Sequence, residues 1–266
     1  DAETARVSFA NGATVAADIV IGADGIHSEL RPYVFPPSNP VFHGGIAYRS
    51  VVPHRLIPDW PNKAWLMWLG KGKHFLTFPV RHGELVNYVG FVPADQQMKE
   101  SWSAPGDPDV LRAEFAGWDP RIGELLSHVT QTFRWALYDR EPLPVWTKGR
   151  LTLLGDAAHP MLPHLGQGAN QSIEDGMALA TILALCDVST ASAALNVYER
   201  LRRERVAAVQ RGARENGMRY DSVYADLARR DAEITAHAEF RKRLYDHDVV
   251  PEAKAAAHYV TKNVGG

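Results

Sequence analysis

Only one of the 266 residues is a cysteine, Cys186. That excludes an internal disulfide and fits a reducing, cytoplasmic setting. No apolar run approaches the roughly 20 residues needed to cross a bilayer, and no signal peptide is read at the start. Charge of neither sign is in excess: the net charge of -2 gives no footing for nucleic acid. Also absent is a strand leading through G-x-G-x-x-G into a helix, the pattern that cradles a dinucleotide pyrophosphate. The nearest glycine cluster, Gly70-Lys71-Gly72, has Phe75 where the third glycine belongs and lies between two strand patterns, so it reads as a hairpin turn. What remains is ordinary globular composition, with material for one large domain or two smaller ones.

The most informative stretch runs from Gly149 to Leu185. An aliphatic run, Leu151 to Leu154, predicts a buried strand ending in Gly155-Asp156. An extended segment with Pro160 and Pro163 follows, and Gly166-Gln167-Gly168 then opens a helix to about Leu185, marked by Ile173, Met177, Ala180 and Leu183. The strand tip presents a carboxylate, and a few residues later a helix start presents unpaired N–H groups that favour negative charge. Gly166 and Gly168 leave the backbone open to a flat or charged ligand. This pairing suits a cofactor that carries both hydroxyls and a ring able to acquire negative charge.

Upstream, residues 5 to 21 read as a hairpin about Asn11-Gly12, whose second strand ends at Gly22-Ala23-Asp24-Gly25 before a helix near Ser28. From Pro36 to Trp146 the pattern is β-rich: GGIAYRSVVP, KAWLMWLG, KHFLTFPVR, ELVNYVGFVP and a returning FRWALYDREPL, with helical stretches from Pro108 to Ala116 and Pro120 to Leu126. His74 and His159 read as structural histidines, and Asp139 and Arg140 as local ion-pair or strand-end residues. Beyond Ser189 the chain is helical and charged, over Leu195 to Val209, Ser222 to Leu244 and a short segment after Val249. The arginines of the first of these read as a solvated face.

Two strings carry a resemblance. Gly155-Asp156-Ala157-Ala158-His159-Pro160, with its glycine-rich helix start, resembles the second flavin motif of the single-component aromatic hydroxylases. Asp18 to Arg31, centred on Asp24, Gly25, Ser28 and Arg31, resembles the Asp-Gly motif of the same family, and the salicylate hydroxylase-like branch is the nearest in kind. The resemblance implies a mixed α/β fold with part of an FAD-binding domain (1–36 and 147–188), an antiparallel substrate sheet (37–146) and a C-terminal helical region (189–266). It implies FAD as cofactor, NAD(P)H as co-substrate and a small aromatic acid as substrate, with room for a homo-oligomer.

By the same resemblance Asp156 would bond the ribityl chain. Gly155 would shape its turn, and the backbone of Gly166, Gln167, Gly168, Ala169 and Asn170 would face the pyrimidine end of the ring. Asp24 and Gly25 would lie near the pyrophosphate. Tyr48 is the candidate substrate-side residue. Gly44 stands where relatives often carry a histidine, and a core role for Tyr48 stays open beside the functional one. The family's opening G-x-G-x-x-G unit has no counterpart, so the sequence resembles the C-terminal two-thirds of a hydroxylase. Two other readings accompany this one: an incomplete fragment acting as a folded or partner-binding module, and a metal-dependent hydrolase built on Asp156, His159, His164, Glu174 and Asp175. The expectation is no metal.

Overall fold

The computed structural model describes residues 1–61, 63–70, 72–94 and 104–264. In chain order the elements are β1 (Arg6–Ser8), β2 (Thr14–Ala16), β3 (Val20–Gly22), α1 (Arg31–Val34), β4 (Val41–Pro53), β5 (Leu66–Gly70), β6 (Lys73–Val80), β7 (Leu85–Pro93) and β8 (Ala104–Gly106). Then follow α2 (Pro108–Glu114), α3 (Pro120–Ser127), β9 (Thr132–Asp139), β10 (Thr147–Lys148), β11 (Leu151–Leu153), α4 (Gly168–Leu183), α5 (Ala191–Tyr220), α6 (Leu227–Ala236), α7 (Ala238–Tyr245) and α8 (Val249–Val264). The fold is mixed α/β. It divides into two compact units, one of residues 1–41, 139–216 and 233–266, the other of 42–138 and 217–232.

The second unit is built on a six-stranded sheet of order β5-β6-β7-β4-β9-β8. β4 pairs antiparallel with β7, and β5 with β6 and β6 with β7 likewise. Gly70 sits opposite Lys73, so the Gly70–Gly72 cluster is a hairpin connection, although Lys71 itself lies outside the described residues. β-Branched and aromatic residues of these strands supply the buried side chains, and Phe75, Tyr88 and Phe115 lie together in the core. Phe75 stacks on Tyr88 at 5.9 Å and meets Phe115 edge-on at 4.9 Å. Both short helices begin with Asp-Pro. Asp107 and Asp119 each accept a hydrogen bond from the amide two residues on, and proline takes the first helical position, where no N–H is needed. His74 is fully buried, bonded through Nδ1 to Asp221 at 2.7 Å and stacked on Phe91.

In the first unit β1 and β2 form an isolated hairpin, while β3 leaves it and pairs parallel with β11 in a three-stranded sheet of order β10-β11-β3. The continuous strand expected up to Gly22 is therefore two strands in two sheets. α4 packs on this sheet with α5 and α8 over a core of Trp146, Leu153, Ala178, Leu179, Ile182, Leu195, Tyr198, Ala253 and Ala257. The alanines let the helices approach closely. The helix expected over Ser222 to Leu244 starts later and breaks at His237 into α6 and α7.

The spacing that marks α4 as a helix is mostly not the stripe that it buries. Ile173 and Met177 are 66% and 49% exposed, and Ala180 is exposed too, whereas Gln171, Asp175, Ala178, Leu179 and Ile182 are buried. The helix carries two apolar stripes, and the core takes the one that includes Asp175. The arginine run of α5 likewise departs from expectation: Arg202 is fully buried.

Candidate functional site

β3 and β11 run parallel with Gly22 beside Leu153, so the turns that follow them leave the sheet at the same end. That is the carboxyl end, where open α/β sheets bind their ligands. Asp24 and Gly25 follow β3, and Gly155 and Asp156 follow β11. The two motifs, far apart in sequence, are brought together by this one parallel pairing.

They are also tied directly. Arg31 is buried and donates from Nε to the carbonyl of Ala157 (2.6 Å) and from Nη2 to that of Asp156 (2.8 Å). The Asp24 carboxylate accepts from the amides of Glu29 (2.8 Å) and Leu30 (3.2 Å), and Ser28 accepts from the amide of Arg31. Burial works to raise the Asp24 carboxyl, but the Ser28 hydroxyl and the surrounding amides together hold it below its ordinary value. Asp24 thus shapes the turn that delivers Arg31, and Gly25 takes the left-handed φ of 81° within it.

Gly155 sits at φ 62° with its amide donating to Asp175 at 3.1 Å. It aims the following Asp156, whose half-buried carboxylate accepts no hydrogen bond from any described residue. Burial pushes this carboxyl up, against the charges of His159 and Arg31. A desolvated acceptor without a protein donor is suited to a ligand hydroxyl.

The helix start is open. Gly166 adopts φ 62° and a Cβ there would meet nothing within 4 Å; at Gly168 it would meet only Met161, at 3.8 Å. α4 has no side-chain cap, so its first amides are unclaimed by side chains, and Ala169 and Asn170 are exposed. Gln167 is buried, with Nε2 unpartnered among the described residues. An open glycine turn, uncapped amides and a partnerless carboxylate fit a flavin with its ribityl hydroxyls and electron-poor ring.

Behind the site lies a buried polar network that sequence reasoning missed. Asp175 accepts from His159 Nε2 (2.5 Å), from the Gly155 amide and from Arg202 Nε (2.8 Å). Arg202 also donates to Glu174 (2.7 Å) and to the side-chain oxygen of Gln171 (2.8 Å), and Gln171 in turn donates to Gln167 (3.2 Å). Arg205 adds a two-pronged bond to Glu174. Burial works to raise the carboxyls of Asp175 and Glu174, yet His159, Arg202 and Arg205 outweigh it and hold both below their ordinary values. The available signal was the spacing of Gln171, Asp175, Ala178 and Ile182 on one helix face, polar residues in core positions that require partners. These carboxylates are committed to guanidinium groups, and among the described residues no group of three or more His, Cys, Asp or Glu could hold a metal ion.

Tyr48 lies in the other unit, on β4 opposite Gly90. It is 4% exposed and belongs to that unit's hydrophobic cluster. The preceding Gly44 is exposed at φ 70°.

Comparison with known proteins agrees with this geometry. Residues 1–213 match the family model described as FAD binding domain. The chain is 41% identical over 210 residues to 3-amino-4-hydroxybenzoate 2-monooxygenase PtmB3 of Streptomyces platensis, covering 79% of this chain and 52% of that protein. It is 37% identical over 219 residues to 6-hydroxynicotinate 3-monooxygenase of Bordetella bronchiseptica, covering 81% and 57%. A solved salicylate hydroxylase substrate complex superposes with a TM-score of 0.84 at 34% identity, over 96% of this chain and 68% of that one. The chain thus spans about half the length of the curated relatives it matches. Two motifs joined at one parallel pair, and a family match over most of the chain, lead to one assignment: the chain belongs to the FAD binding domain family, that of the FAD-dependent aromatic hydroxylases.

Proposed function

We propose that the chain serves an FAD-dependent monooxygenase that hydroxylates a small aromatic acid with NAD(P)H and O₂. One observation carries the reading: a desolvated, partnerless Asp156 and the bare first turn of α4 flank the same strand tip. FAD, when bound, takes up the reducing equivalents of NAD(P)H and activates O₂, placing one oxygen atom on the ring and releasing the other as water.

The residues of the chain bind and orient. Asp156 accepts from the ribityl hydroxyls, and burial makes that acceptor more effective than an exposed one. The amides from Gly166 to Asn170 meet the pyrimidine edge, where the dipole of α4 favours the negative charge that reduction creates. Asp24 and Gly25 set the turn beside the pyrophosphate. Tyr48 is the residue we nominate toward the aromatic substrate, its hydroxyl assisting phenol deprotonation. The substrate class is drawn from relatives named for aminohydroxybenzoate and hydroxynicotinate.

We place the protein in a reducing cytoplasm, where Cys186 stays a thiol. Nucleic acid and membrane have no part in the proposal. The net charge is -2, and no helix of the described residues is long and apolar enough to cross a membrane.

A second reading, a folded or partner-binding module without activity of its own, draws on the exposed stripe of Ile173 and Met177. One preparation separates the two. An enzyme purifies yellow with FAD near one per chain and consumes NAD(P)H faster when hydroxybenzoates or hydroxynicotinates are added. A module purifies colourless, gains no flavin on incubation and leaves NAD(P)H untouched.

A further inference from the structure

Both poles of the site hang on one side chain, Arg202 of α5. The Gly155–Asp156 turn is reached through Asp175: Arg202 Nε bonds one carboxylate oxygen at 2.8 Å, and the other accepts the Gly155 amide and His159. The α4 start is reached through Gln171. Arg202 Nη2 can only donate, so the Gln171 oxygen must face it. The Gln171 NH₂ then points away, toward Glu174 at 3.0 Å and Gln167 at 3.2 Å. That orientation leaves Gln167 presenting its oxygen to Gln171 and fixes the residue that opens α4. A planar guanidinium with a fork of fixed donors can serve both arms at once, and a single ammonium cannot.

We propose that Arg202 is a positioning residue that sets the spacing between the Asp156 carboxylate and the first amides of α4, and so tunes the grip on the flavin. This rests on the flavin reading of the site given above. The centre of the network is shielded from bulk solvent: Arg202, Asp175, Gln171 and His159 are all buried. Bulk solvent does not reach these groups to take over a lost bond, and removing one arm should loosen only the pole that it serves.

A second ion pair in the same unit, with a buried carboxylate and a half-buried guanidinium, provides the comparison. Arg214 holds Asp139 through two bonds of 2.6 and 3.0 Å and touches neither motif. A residue that merely stabilises the unit would behave like Arg214.

The test is amide hydrogen exchange followed residue by residue, with flavin affinity measured by fluorescence quenching using FAD itself. Arg202→Met should speed exchange together at Gly155, whose amide is held by Asp175, and at residue 171, whose amide closes the first bond of α4 onto the Gln167 carbonyl, by at least tenfold, and weaken FAD binding by a similar factor. Gln171→Met removes no charge and guards against a variant that does not fold. It should speed exchange at the residue 171 amide and leave Gly155 within twofold. Asp175→Asn should do the reverse. Arg214→Met should lower the melting temperature yet leave both poles and FAD affinity within twofold.

Uniform loosening in every variant, or equal loss of FAD affinity in Arg202→Met and Arg214→Met, would overturn the proposal. If the wild-type chain binds no FAD, the flavin reading fails, and the exchange pattern alone still decides whether one guanidinium governs both poles.

Discussion

The turn that carries Asp156 can be tested through Gly155. This residue combines a left-handed φ of 62° with a crowded side: a Cβ would lie 2.8 Å from Ser172 Oγ and 3.3 Å from Ser172 Cβ. Gly166 has the same φ of 62° and nothing within 4 Å. Alanine at Gly166 therefore pays only the backbone term, about 1–2 kcal/mol for an L-residue in that region. Alanine at Gly155 carries that term plus overpacking, which costs about 1–3 kcal/mol when neighbours must shift. Gly155→Ala should be the more damaging by the second amount, read as the difference in urea midpoints at constant m.

Ser172 makes the crowding separable. Its hydroxyl donates to the carbonyl of Gly168 at 3.0 Å, a bond back along the helix that contributes little to stability. Ser172→Ala alone should stay within about 0.5 kcal/mol of wild type. In the Gly155→Ala background it should recover most of the overpacking term and none of the backbone term, a coupling of about 1–2 kcal/mol in the double-mutant cycle. Equal losses at Gly155 and Gly166, or no coupling to Ser172, would refute the reasoning. Gly166→Ala should still weaken FAD binding, because its methyl enters the space assigned to the ring.

Asp156→Asn should raise apo stability at pH 7 while weakening FAD binding by roughly tenfold, the loss of about one charged hydrogen bond. Its folded carboxyl is raised, so the wild type loses stability as pH climbs from the ordinary carboxylate range to the folded value, and urea titrations from pH 4 to 7 should show that slope vanish in the variant. Glu174 and Asp175 have the opposite sign. Their folded values are depressed, so their contribution is complete above about pH 4 and fades as pH falls through the folded values, and Glu174→Gln should flatten the acid limb of the stability curve. Trp146→Ala should cost about 3–5 kcal/mol, since the ring is buried against Tyr198 and His159 and cannot be replaced by solvent.

The strands of the second unit were legible because their β-branched and aromatic runs stand between clear turn signals. The Asp-Pro starts of α2 and α3 and the turns at Asn11-Gly12 and Gly70–Gly72 are local chemistry of the same kind. β3 was harder. The stretch from Ala13 to Gly22 reads as one strand, yet its second half pairs in parallel with β11, and nothing near it in sequence announces a partner so distant. For the same reason the two motifs were readable one by one, while their joining by Arg31 was not.

The reversal of α4 has a more specific cause. Periodicity marks the stripe of Ile173, Met177 and Ala180 as strongly as that of Ala178, Leu179 and Ile182, and hydrophobicity alone favours the first, which holds no acid. The second wins because Asp175 and Gln171 meet a guanidinium from a helix that begins eight residues after α4 ends. A buried carboxylate without a cation is strongly unfavourable, and so is a buried cation without a carboxylate; neither sequence segment could therefore be read correctly alone. The burial of Asp175 and of Arg202 is one event. Its outcome is that α4 presents its uncapped start and Gly155 its left-handed turn toward the same strand tip.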